Sequence, residues 1–319
     1  MNAPPLAFPE TPPNRVIAAM LEPLSQYYND HKVIELRMNG SGRLTREIRG
    51  VGKVEVADSA LTIGMMKKLC KTLANYHGLV FDANSEPNLS CVLPGKHRFE
   101  CLIGASVQER LSLSIRCKHP YDAKPSSFGL DTAITERLFA AVQSGKHVVI
   151  SGGTSSGKTT LLNLLLQSLP EETRIVCAED APEVNYSRFS QDSIGLLATR
   201  SVEVPGMLSW PNLTNHINRI TPDRVIFGEI STLNAQSALA VLNAGIMGFM
   251  CTIHAESPEM VIKRKFAQNL DMAGTPMQAV DEFLDDMLDL VVQIKKTDYG
   301  TRKVTSVWDV KNKVELLGK

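Results

Sequence analysis

Gly152-Gly153-Thr154-Ser155-Ser156-Gly157-Lys158-Thr159 fits the pattern G-x-x-x-x-G-K-[ST], the spacing of a backbone loop that wraps a phosphate group. The glycines let the chain curl so that successive N–H groups point inward. A helix that starts at Lys158-Thr159-Thr160 adds the partial positive charge of its N-terminus. The Lys158 ammonium is placed to reach β- and γ-phosphates, and the Thr159 hydroxyl to help hold Mg²⁺. Four fixed positions recur by chance in roughly one chain in a hundred of this length. Here the match also follows an apolar strand and opens a helix, the context that phosphate chemistry requires.

Hydrolysis at such a loop needs an acid near the metal and a group that orients water. Acids at the ends of buried strands are the natural suppliers, because strand ends face the ligand crevice of an α/β sheet. Val225-Ile226-Phe227-Gly228-Glu229 places Glu229 at the end of one such strand, and Ile175 to Ala178 leads to Glu179 and Asp180. Thr252-Ile253-His254-Ala255 ends a third, so His254 could sense a γ-phosphate or hydrogen-bond an acid.

The elements that must position these groups fall into two regimes. Residues 14–28 have helical spacing, and 33–38, 44–48 and 54–56 read as short strands. A helix over about 59–76 and alternating runs at 98–103 and 111–116 complete an α+β domain, 14–118, with an antiparallel sheet. Residues 119–131, rich in Pro, Ser and Gly, read as a linker. From 132 to 319 apolar strands (147–151, 174–178, 224–228, 249–253) alternate with helices (134–143, 158–170, 212–220, 233–246), the pattern of a largely parallel buried sheet. Helices over 258–269 and 276–289 and a hairpin around Tyr299-Gly300 close the chain.

Composition removes several classes. Lys plus Arg and Asp plus Glu both total 34, so the chain is formally neutral and carries no basic excess for a generic polyanion. Nothing in the sequence speaks directly for nucleic-acid binding. The six cysteines (70, 91, 101, 117, 177 and 251) contain no C-x-x-C pair and read as buried free thiols of a reducing compartment. The Pro-rich arm, residues 1–13, lacks the basic and apolar regions of a secretory signal. The most apolar stretch, 238–253, is too short and too interrupted to span a bilayer, so a cytoplasmic protein is expected.

The phosphate loop, Glu179-Asp180, Gly228-Glu229 and Thr252-Ile253-His254-Ala255 follow one another in the order Walker A, Asp box, Walker B, His box. This layout resembles the secretion traffic ATPases, and the details resemble their type IV secretion and conjugation branch. Ile175 to Val184 is similar to that branch's Asp box, Pro222 to Glu229 to its P-D-R-I-I-x-G-E, and Leu242-Asn243-Ala244-Gly245 with Thr252 to Ala255 to its L-N-T-G…T-I-H-A. The resemblance extends into the first domain through Glu35 to Gly40 and Ser114-Ile115-Arg116.

That resemblance implies an α/β fold with a C-terminal RecA-like P-loop domain, a homo-hexameric ring and ATP with Mg²⁺ bound between the two domains. It implies that Arg98 and Arg116 reach the phosphates. It further implies work with inner-membrane components of a secretion or conjugation apparatus, at the inner face of the bacterial inner membrane. A type IV pilus assembly or retraction motor, a nucleotide-gated assembly protein with little turnover and a nucleic-acid translocase are the alternatives. Two departures stand out: Thr221 and Ser231 replace arginines usual in the branch, whereas Arg219 matches one.

Overall fold

Strands whose burial alternates and strands buried throughout occupy different halves of the chain, which divides into two compact units, Met1–Tyr121 and Asp122–Lys319. The computed structural model describes residues 15–119, 123–198, 208–297 and 301–318. The expected arm 1–13 and the tip of the hairpin at Tyr299-Gly300 lie outside the described residues.

The first unit runs α1 (Arg15–Tyr28), β1 (Val33–Asn39), β2 (Arg43–Ile48), β3 (Gly52–Ala57), α2 (Ile63–His77), β4 (Asn88–Val92), β5 (Arg98–Ile103) and β6 (Leu111–Arg116). The strands form one antiparallel sheet in the order β3-β2-β1-β6-β5-β4. Along β5, Phe99, Cys101 and Ile103 are buried; along β6, Leu111, Leu113 and Ile115 are. They pack with Ile17, Leu21 and Leu24 of α1 and with Met66, Leu69, Cys70 and Leu73 of α2. Intervening residues such as Glu100, Ser112 and Arg116 take the other face. The helix expected from Ser59 starts at Ile63, because Thr62 accepts a hydrogen bond from the Met65 N–H and caps it. Edge strand β4, where Leu89 and Cys91 are buried between more exposed neighbours, was not expected from the sequence.

The second unit runs α3 (Thr132–Gln143), β7 (Val148–Gly152), α4 (Lys158–Leu166), β8 (Ile175–Glu179), β9 (Ser193–Leu197), α5 (Trp210–Ile217), β10 (Arg224–Ile230), α6 (Ala235–Asn243), β11 (Met250–Ile253), α7 (Pro258–Met260), α8 (Phe266–Met272), α9 (Val280–Met287), β12 (Leu290–Lys296), β13 (Arg302–Asp309) and β14 (Val314–Glu315). Its eight-stranded sheet has the order β14-β13-β12-β7-β11-β10-β8-β9. It is parallel from β12 to β9, with an antiparallel edge at β13 and β14. Both faces are covered. Val148 and Ile150 pack with α3 and α4, while Val149 packs on the opposite side with α5, α6 and α8. This is why β7 and β8 read as continuous apolar runs.

Four further sequence expectations change. Ala123, Phe128 and Leu130, inside the expected linker 119–131, belong to the core of the second unit. The expected helix 258–269 is interrupted by a π-helical turn at Val261–Lys265, and α9 begins at Val280, four residues after the expected start at 276. β10 continues to Ile230, so Glu229 lies within the strand and not just beyond it. All six cysteines are free thiols, five of them buried.

Candidate functional site

The phosphate loop joins β7 to α4. Ser155 and Gly157 adopt positive φ (57° and 98°), which turns the loop's backbone inward. Gly152 cannot carry a side chain, because a Cβ there would stand 2.3 Å from the Ile294 carbonyl oxygen. Ser156 is buried and its hydroxyl has no protein partner. Positive-φ residues, a buried orphan hydroxyl and a helix N-terminus suit an anion that supplies the missing acceptors.

Lys158, the first residue of α4, is 6% exposed. Its ammonium donates to the Gly153 carbonyl at 3.2 Å and stands 3.6 Å from Glu229 Oε1. It also lies 3.3 and 3.5 Å from the two ring nitrogens of His254. The His254 Nε2 faces Glu229 Oε1 at 2.8 Å. Strands β7, β11 and β10 are neighbours in the sheet, and this adjacency brings loop, histidine and acid together although they are far apart in sequence. The hydrogen bond to an acid, one of the two roles expected of His254, is made with Glu229. Burial pushes the Glu229 carboxyl up, but the hydrogen bond with His254 and the charge of Lys158 outweigh it, so the group titrates below the ordinary carboxylate range.

A bulge aims Glu229. β10 and β11 pair at Phe227 with Cys251 and next at Ile230 with Ile253, three residues against two. The extra residue falls at Gly228-Glu229 and turns the Glu229 side chain out of the sheet. The Thr252 hydroxyl donates to the Gly228 carbonyl at 2.7 Å. Buried Asn234 donates to the Glu229 carbonyl and accepts from the Ser231 N–H, both at 2.8 Å, so it holds the backbone beyond the bulge. Ser231, one of the two departures, sits in this turn.

Glu179 is buried at the end of β8, and its Oε1 accepts the backbone N–H groups of Glu183 and Val184 at 2.9 Å each. Gly228 leaves room for it, since a Cβ there would come within 2.8 Å of the Glu179 carboxylate. The turn so held carries Glu183, whose Oε2 accepts from the Thr159 hydroxyl at 3.3 Å. Glu183 is the functional candidate that sequence reasoning missed. Its signal was Pro182, which bends the chain after Glu179-Asp180 and returns a further acid toward the start of α4. Thr160 is the third residue of α4 and half-buried.

Arg98 and Arg116 belong to the first unit. They are direct cross-strand partners on β5 and β6, both half-buried, and Glu35 is the partner of Arg116 on its other side. Adjacent guanidinium groups repel, and the Glu35 carboxylate beside Arg116 offsets part of that repulsion.

Residues 103–294 match the family described as type II/IV secretion system protein. A probable conjugal transfer protein of Sinorhizobium fredii is 30% identical over 86% of this chain and 82% of its own. A type IV secretion system protein of Bartonella henselae is 25% identical over 92% of each chain. The X-ray structure of the Legionella pneumophila ATPase DotB has a TM-score of 0.63 at 15% identity, covering 98% of this chain and 84% of that one. The pilus retraction motor PilT with bound ADP has a TM-score of 0.57 at 14% identity, covering 92% and 81%.

Proposed function

The chain belongs to the type II/IV secretion system protein family and is an ATPase of its type IV secretion and conjugation branch, and on that premise we propose how its residues divide the work. The observation that carries the proposal is the convergence of Lys158, Glu229 and His254 within 3.6 Å beside the phosphate loop.

A buried ammonium needs a counter-charge. Without nucleotide, Glu229 supplies it to Lys158; with ATP in the loop, the phosphates replace it. Glu229 is then released to orient and polarise the attacking water. Its pKa is not raised on balance, so it is ionised at neutral pH like an ordinary carboxylate, and the imidazole of His254 holds it in place. The Thr159 hydroxyl, with Glu183 beside it, is suited to hold Mg²⁺, which when bound neutralises charge on the β- and γ-phosphates. Glu179 assists by fixing the turn that carries Glu183. The loop from Gly152 to Thr160 cradles the phosphates, and Arg98 and Arg116 add guanidinium charge to the transferring group.

Further proposals rest on kinship with the conjugal transfer and type IV secretion proteins. The protein works as a homo-hexamer at the inner face of the bacterial inner membrane, coupling hydrolysis to a secretion or conjugation apparatus. No helix among the described residues is long and apolar enough to cross a membrane. Phosphate release and mass, measured in one sample with and without ATP, test turnover and assembly together. Turnover that survives Lys158→Ala, or normal hydrolysis by Glu229→Gln, would sink the assignment of this site. Mixing Arg116→Ala with Lys158→Ala subunits tests sharing of one site. Recovered activity places the arginine and the loop of one site on different subunits; none in any mixture favours sites built within one subunit.

A further inference from the structure

Hairpin β12–β13 touches the phosphate loop at its first and its last glycine. Under Gly152 lies the Ile294 carbonyl of β12, and across Gly157 lies the side-chain stem of Arg302, the first residue of β13. A Cβ on Gly157 would meet Arg302 Cδ at 2.9 Å and Nε at 3.5 Å, so the guanidinium begins directly over the residue that precedes Lys158. Arg302 is the register partner of Lys296, and Lys303 that of Lys295, so four cations occupy this end of the hairpin. The stem of Lys303 packs on Gly129.

Sheet order decides which end of a nucleotide Arg302 faces. From β7, the groups of the reacting end lie on one side: His254 follows β11 and Glu229 is on β10. Arg302 lies on the other side, two strands away on β13. We propose that Arg302 is a nucleotide-binding residue that contacts the non-transferred phosphates of the bound adenine nucleotide from within the same unit. A planar guanidinium is suited to paired phosphate oxygens, and Gly157 is the residue type that lets its stem lie across the loop. A contact made equally to ATP and ADP is uniform binding, which changes affinity and leaves the chemical step unaltered.

The inference rests on the reading that nucleotide occupies this loop. The experiment uses the full chain with Mg²⁺ and measures ADP affinity by titration and ATP turnover in the steady state. Arg302→Ala should weaken ADP binding about tenfold and raise KM for ATP by a similar factor, with kcat within twofold of the parent. Arg302→Lys should recover part of the loss, and Lys303→Ala should change affinity less than twofold. ADP affinity unchanged in Arg302→Ala would overturn the inference. So would a loss confined to ATP, or a fall in kcat with KM unchanged, since either places the group at the reacting end. A loss in Lys303→Ala equal to that in Arg302→Ala would overturn it too, by assigning the effect to hairpin packing. If Lys158→Ala also leaves ADP binding intact, the loop reading itself has failed; if only Arg302→Ala does, this inference alone falls.

Discussion

The two sheets bury their strands in opposite ways, and their functional groups differ accordingly. In the second unit both faces are covered, so strand interiors are mostly apolar and the site's polar groups lie at strand ends, a bulge and a loop. In the first unit one face packs on α1 and α2, and the other carries Glu35, Arg37 and Glu47 inside their strands, with Arg98 at the start of β5 and Arg116 at the end of β6. Groups at the ends of a doubly covered sheet are held on several sides. Groups on the polar face of the first sheet depend on their cross-strand neighbours, as Arg37 does on Glu35 and Glu47.

The comparison can be broken at the covered sheet first. Lys158→Ala should reduce ATP turnover by about a thousandfold or more and weaken ATP binding, with the fold intact; Glu229→Gln should lose turnover comparably and retain binding. Phosphate-release assays beside nucleotide titrations measure both. Next in size is the core that positions them. Phe227 is fully buried between Trp210 and Phe249, and Phe227→Ala should cost about 3–5 kcal/mol in denaturant unfolding. A value under 1 kcal/mol would mean that the doubly covered sheet is not the rigid scaffold described above.

The first unit has its own buried titratable group. His97 is 6% exposed, and its Nδ1 accepts the Lys118 N–H at 2.9 Å, which requires that nitrogen to be unprotonated. Burial first, and then His119 nearby, lower its pKa from 6.5 to about 4. The unfolded chain therefore takes up this proton before the folded one does. Stability from this group is complete above pH 6.5 and is lost as the pH falls from 6.5 to about 4, by about 3 kcal/mol in all. Unfolding of the first unit followed from pH 7 to 4 should show that slope together with contributions of the same sign from His77 and His119, and His97→Gln should reduce it. The smallest expected effect on stability is on the polar face of the first sheet: Arg116→Ala should shift unfolding by no more than about 0.5 kcal/mol while weakening ATP hydrolysis. A large loss of stability would make Arg116 a structural residue of its sheet.

Much of this site is legible in the sequence because its chemistry lies in short contiguous motifs. The loop and its helix start are local: two glycines, Lys158 and Thr159 need no distant residue to declare a phosphate cradle. Glu229 and His254 could be nominated because each lies at or next to the end of an apolar run. That they touch each other and Lys158 depends on the order β7-β11-β10, which no local period encodes. Strand β9 escaped because its burial does not alternate, and β4 escaped although Leu89 and Cys91 alternate with more exposed neighbours.

What the sequence determined by itself was the class of chemistry and the character of the two sheets. Alternating strands need one apolar cover, continuous apolar strands need two, and a Gly-rich turn before Lys-Thr needs an anion. Only the tertiary structure decided where the acids point. The bulge at Gly228-Glu229 exists because β10 carries one residue more than β11 between two paired positions, and Glu179 is tied to the turn that presents Glu183. It also placed Arg302 across Gly157, since strand neighbours are chosen by long-range pairing and packing, and a residue almost 150 positions away becomes part of the loop's wall.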